Sequence, residues 1–264
     1  FVSYATTPAL FYSLLNSLLV AGVTTAIVVP LAFLYAYALR RSCIPAKGAF
    51  YAAAMVPVFA PSLLSGLALI YLFGNQGILK SWMMGASLYG PVGIIAAEVL
   101  YCFPHAMLIL VTALALSDGR LREAADAMGT SRWRIFHTIT LPGARYGVIS
   151  ATFVVFTLVI TDFGIPKVIG GQFSVLATDA YRQVVGQQNF PMGAVVGIIL
   201  LVPAVLAFFV DRVVQRRQSA MLSARAVPYV PKPDRHRDLA LLGFVSLIAL
   251  AIVGPYAVAF WGSF

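Results

Sequence analysis

Two acidic residues stand where a charge is costly. Glu98 lies inside a long apolar run, in AAEVLYCFPH, and Asp162 lies near the end of the next run, in VITDFGIP. A carboxyl group in apolar surroundings attracts a cation, holds a proton or bonds to a neighbouring helix, and it defaults to a functional role. Glu98 can therefore line a path through the apolar layer, be protonated, or be bonded within the helix packing; the sequence leaves all three open. Asp162 can cap a helix at an interface or belong to an outer gate. Other chemistries lack their parts. His105, His137 and His236 are scattered, and Cys43 and Cys102 make neither a disulfide framework nor a metal cluster. The stretch 74–81, GNQGILKS, ends in Lys-Ser but has Leu79 where a phosphate-binding loop needs glycine. Asp162-Phe163-Gly164 has no other kinase element with it, and neither HExxH nor a Ser/His/Asp arrangement is present. The chain is expected to be no enzyme, to hold no cofactor or metal, and to draw energy from a partner.

The elements that must position these residues follow from composition. Of 264 residues, 61% are hydrophobic and only 10% charged, against about 25% charged in soluble domains. Apolar runs near 13–39, 49–74, 90–117, 144–165, 193–214 and 239–262 are each long enough to cross a hydrocarbon core of ~30 Å, which takes roughly 20 helical residues. Backbone polar groups have no water partner there, so the runs must be helices. The expected fold is all-α and polytopic, with about six membrane helices. The net charge of +9 could suggest nucleic acid, but its placement argues for a membrane. Threading six spans alternately puts 15 Lys and Arg on one side and 3 (Lys80, Lys167, Arg182) on the other. This positive-inside bias puts residue 1 outside and the stretch around residue 123 in the cytoplasm.

That stretch reads EAADAMGTSRWRIFHTITLP over 123–142. It is polar and basic between two apolar runs. Asp118 can cap a helix starting near Gly119. Leu121, Ala125 and Met128 then share one face, and Gly129 ends the helix with a left-handed residue. Thr130 or Ser131 caps a second short helix through Trp133, Ile135, Phe136 and Ile139, and Pro142 suits the first turn of the next membrane helix. An interfacial amphipathic anchor would have much the same look. The spacing, however, is Glu-Ala-Ala, three residues, Gly, nine residues, then Ile-x-Leu-Pro. At every fixed position it resembles the EAA signature of permease subunits of bacterial ABC importers.

The resemblance implies a multi-pass protein of the bacterial inner membrane. It implies that Glu123, Ala124, Ala125 and Gly129 couple to a dimer of cytoplasmic ABC ATPase subunits. The same likeness implies a periplasmic substrate-binding protein that docks on the outer loop, where Asp179 and Arg182 are candidate contacts, and a second permease unit. Glu98 and Asp162 are candidates for the substrate path. The passage DFGIPKVIGGQFSVLATDAYRQ is similar to the iron(III), 2-aminoethylphosphonate, thiamine and polyamine branch. Its wording points first to 2-aminoethylphosphonate and next to iron(III). The rival class is an ion-coupled secondary transporter, which needs no EAA segment but usually shows paired midplane charges.

Residues 216–238 are a different material, basic with three prolines, expected to be a cytoplasmic linker against anionic headgroups. The expected division is therefore 1–215, a permease unit lacking its first span; 216–238, the linker; and 239–264, the first membrane helix of a second unit. Such a division implies a piece of a longer, fused chain.

Overall fold

The computed structural model describes residues 8–117, 119–221 and 229–262. Helix α1 spans Pro8–Arg41 and ends in Arg40 and Arg41, cations placed where a helix C-terminus favours them. Next come α2 (Lys47–Met55) with a 3-10 turn at Val56–Phe59, and α3 (Ser62–Phe73). Helix α4 is Pro91–Leu116. The connecting segment carries α5 (Gly119–Ala127) and α6 (Arg132–Ile135), the latter continuing through a π turn at Phe136–Thr140 and a short turn at Leu141–Gly143. Then follow α7 (Arg145–Thr161), α8 (Gly164–Ile169), α9 (Leu176–Tyr181), α10 (Phe190–Met221) and α11 (Arg235–Trp261). Among the described residues, four helices are long and apolar enough to cross a membrane, and up to six do so if each of two bent pairs counts as one span.

Two bends interrupt these paired spans. The apolar run expected as one helix over 49–74 is broken, with Lys47–Phe59 and Ser62–Phe73 at 104°. Pro61 explains it. The residue before a proline is pushed out of the helical region, and Ala60 is extended (φ −117°, ψ 140°). Pro142 does not open α7, as expected, but sits in the short turn before it. Ala144 (φ −96°, ψ 2°) then separates that turn from α7, at a bend of 64°. Helix α10 continues to Met221 and α11 starts at Arg235, so less of 216–238 is non-helical than composition implied.

Helix α1 forms the middle of the bundle, against α4 and α7. Its inward face is cut small, with Ala21, Ala32 and Ala36 fully buried, which lets helices approach where lipid removes the hydrophobic drive between them. Larger groups lock the contact: Tyr35 donates to the Phe50 carbonyl at 2.7 Å and meets the Phe103 ring edge-on at 5.3 Å. The α7–α4 crossing is closest at Gly147, where a Cβ would collide with that of Ala113. Helix α10 is tied to α7 by Ser150 donating to Asp211 at 2.5 Å, yet only 17% of its apolar window is buried. Leu201, Leu206 and Phe209 therefore face outward, toward lipid or another subunit. Helix α11 lies along α2 and α3, with the Ser65 and Tyr256 hydroxyls 2.6 Å apart.

Candidate coupling site

Helix α5 ends in a Schellman motif. Gly129 takes φ +70°, its N–H donates to Asp126 O at 3.1 Å, and the Thr130 N–H reaches back to Ala125 O at 3.0 Å. These bonds satisfy carbonyls that a helix end leaves orphaned. Ser131 stands at the N-cap of α6 through its backbone, with no side-chain cap bond. Asp118, the expected cap of α5, lies outside the described residues. The product is the helix–turn–helix the spacing implied.

Its faces differ from expectation. The buried stripe of α5 runs through Gly119, Arg122 and Ala125, whereas Leu121 (63% exposed) and Met128 (77%) point outward. Arg122 displaces them because its apolar stem can be buried while its guanidinium meets aromatic rings. It sits 4.8 Å from the Tyr229 ring centre, with Tyr37 also beside it. Of the four expected coupling residues, Glu123, Ala124 and Gly129 are exposed, and Ala125 is buried as the support beneath them. The second arm is anchored by Ile135, fully buried, and by Phe136, which meets Phe33 and Tyr37 edge-on at 5.9 Å each. Trp133 remains 74% exposed. The segment thus presents Leu121, Met128 and Trp133 around exposed Glu123 and Ala124, an apolar and charged surface of the sort a protein partner covers.

Sequence reasoning missed the brace behind this element. Arg41 donates to the Leu114 carbonyl at 3.0 Å and to the Ser117 hydroxyl, joining the ends of α1 and α4. In the sequence, Arg41 reads only as part of a topological charge cluster.

The other candidates form two groups at the far end. Asp162 accepts from the Ile165 N–H at 2.8 Å, capping the turn into α8, with Ser62 beside it. The carboxyl of Glu98 comes up against that of Asp162. Glu98 is fully buried, with the Cys102 thiol 3.8 Å from Oε2 and no hydrogen-bond partner for Oε1. The fold thus joins two residues 64 positions apart. Close backbone contact holds them there: a Cβ at Gly164 would lie 2.6 Å from Ser62 Oγ, and one at Gly66 would lie 2.7 Å from Val168. The second group is on the outer loop. Arg182 Nη1 pairs with Asp179 at 3.2 Å and Nη2 donates to Ser174 at 3.0 Å. Asp179 is 3% exposed and Arg182 exposed, so of these two expected contacts only the arginine is accessible. Among the described residues, no group of three or more His, Cys, Asp or Glu could hold a metal ion.

A bundle of kinked, membrane-length apolar helices with an exposed polar helix–turn–helix between two of them defines a polytopic membrane protein. Residues 28–220 match the family of binding-protein-dependent transport system inner membrane components, and the chain belongs to it. The putative ferric transport system permease protein FbpB 1 of Haemophilus influenzae is 27% identical over 94% of this chain and 41% of its own length. The ferric transport system permease protein FbpB of Actinobacillus pleuropneumoniae is 27% identical over 94% and 38%. This chain therefore spans less than half the length of those relatives. The molybdenum transport system permease protein ModB of Escherichia coli K12 is 28% identical over 58% of this chain and 68% of its own. The fold is shared with a bacterial alginate ABC transporter solved with a pentasaccharide-bound periplasmic protein (TM-score 0.64, 15% identity, 82% of each chain). It is also shared with an amino acid ABC transporter (TM-score 0.57, 18% identity, 81% of this chain and 95% of that one).

Proposed function

We propose that this chain is the membrane-spanning part of an ATP-driven importer, with α5 and α6 receiving the motion of a cytoplasmic ATPase dimer and the loop 170–189 meeting a periplasmic binding protein. The observation that carries it is the exposed helix–turn–helix, motif-spaced and braced by Ile135, Phe136 and Arg41. A lipid anchor would bury its apolar residues in the interface with no need of such bracing. Helix α11 is read as the first span of a second permease unit, an assignment supported by the linker that sets it apart. For substrate, relatives matched over most of the chain are named for ferric transport, which supports iron(III) ahead of 2-aminoethylphosphonate. Reconstitution of the intact transporter with its ATPase and binding protein tests the reading. Uptake is expected only with ATP and both partners. Uptake driven by an ion gradient with the ATPase left out would replace it with a secondary transporter.

The Glu98–Asp162 pair is assigned to the outer part of the substrate path. Glu98→Gln keeps the shape and can donate to Asp162, so uptake is expected to stay within about twofold. Glu98→Leu leaves Asp162 facing an apolar side chain. Losing a buried partner costs about 1–3 kcal/mol, so uptake is expected to fall roughly tenfold. Equal uptake by the two variants, in proteoliposomes of equal protein content, would remove Glu98 from the path.

A further inference from the structure

The segment just before α11 does not lie free against lipid headgroups. It crosses the coupling element and touches both of its arms. The Tyr229 ring sits between two guanidinium groups, 5.0 Å from that of Arg41 and 4.8 Å from that of Arg122. Its backbone passes directly over the start of α5: a Cβ at Gly119 would lie 2.8 Å from Tyr229 Cα and 2.9 Å from its N, so no side chain fits at 119. Two residues on, the Pro231 carbonyl accepts from the Cys43 thiol at 3.3 Å. Asp234 then pairs with Arg132 on α6. The same carboxylate caps α11 by accepting the Arg237 N–H at 3.0 Å. That amide, and Arg132 beside it, hold Asp234 below the ordinary carboxylate range.

We infer that residues 229–234 are a strap that fastens the coupling helix–turn–helix to α11, with Tyr229 and Asp234 as its positioning residues. This rests on the coupling role proposed above. Two cations would repel across an empty space, and the ring between them turns that repulsion into two cation–π contacts. Tyr229 therefore sets the distance between the end of α1 and α5. Asp234 caps α11 and forms the ion pair with α6 at once. Displacement of the coupling element therefore reaches α11 directly, not only through the bundle.

The test uses the intact transporter with its ATPase in proteoliposomes. Tyr229→Ala is expected to lower substrate moved per ATP hydrolysed about tenfold, with normal membrane insertion, while Tyr229→Phe, which keeps the ring, restores most of it. In membranes, oxidation should cross-link Cys43 to the thiol introduced by Pro231→Cys, and adding Tyr229→Ala should weaken that link several-fold. If Tyr229→Ala does not reach the membrane, Asp234→Asn carries the test: it keeps a capping oxygen, removes the charge facing Arg132, and should lower the ratio about threefold. Glu123→Arg in the same assay separates the two ideas. If it uncouples while the strap variants do not, the strap is overturned and the coupling role stands. If neither uncouples, the coupling role fails and takes the strap with it. Absence of the cross-link also overturns the strap.

Discussion

Gly129→Pro is expected to reduce transport by the intact protein at least tenfold while ATP hydrolysis by its partner continues. Gly129 holds φ at +70°, and proline fixes φ near −65°. The substitution also removes the N–H that donates to Asp126 O and pushes Met128 out of the helical region. Together these cost about 3 kcal/mol or more, enough to unmake the turn between α5 and α6. The membrane helices do not depend on that turn, so insertion should survive. Glu123→Arg reaches the same end by charge. Glu123 is exposed and Arg120 lies on the same short helix, so reversal leaves the hydrogen-bonded frame intact and changes only the surface offered to a partner. Like charges brought together at an interface cost several kcal/mol. Transport and phosphate release measured on the same proteoliposomes decide the matter. A normal transport rate in both variants would withdraw the coupling assignment.

The second large effect is expected at the α4–α7 crossing. Gly147→Leu puts a side chain where even a Cβ would overlap that of Ala113. Overpacking a close contact typically costs about 1–3 kcal/mol, and this contact has no flexible side chain to give way. The helices must separate, and α1, packed against both, must follow. The expected result is about a tenfold loss of monodisperse protein on size exclusion after detergent extraction. Gly22→Leu is the control, since nothing lies within 4 Å of a Cβ there, and it should extract like the parent. Equal recovery of the two would show that the crossing can widen at little cost.

The spans were legible because about 20 consecutive apolar residues is the length that a bilayer demands of a helix and a soluble core seldom uses. The helix–turn–helix was legible because Gly129 is a local signal with a local consequence, the end of α5. What the sequence hid was long-range. The periodicity of Leu121, Ala125 and Met128 is real, but which side of α5 is covered depends on Tyr229, 107 residues beyond Arg122, and on Tyr37. A buried arginine overrode the apolar stripe only because those rings were waiting for it. The break at Ala60–Pro61 was visible as a proline, yet many membrane helices carry prolines and stay continuous. The nearness of Glu98 to Asp162 depends on how tightly α8 packs on α3 through Gly66 and Gly164, which no single-chain pattern reports.

The bend between α2 and α3 has one more implication. A 12-residue helix such as α3 rises only about 18 Å, short of the ~30 Å hydrocarbon layer. The rest of the crossing falls to α2 and its 3-10 turn, and only the peptide groups around Ala60 and Pro61 stand outside a helix. Hydrocarbon tolerates these only where protein or a water-filled cavity surrounds them. Ser62, a neighbour of Asp162, stands beside that interruption. If the substrate path runs here as proposed, a passing cation is expected to meet the exposed backbone of that break as well as two acids.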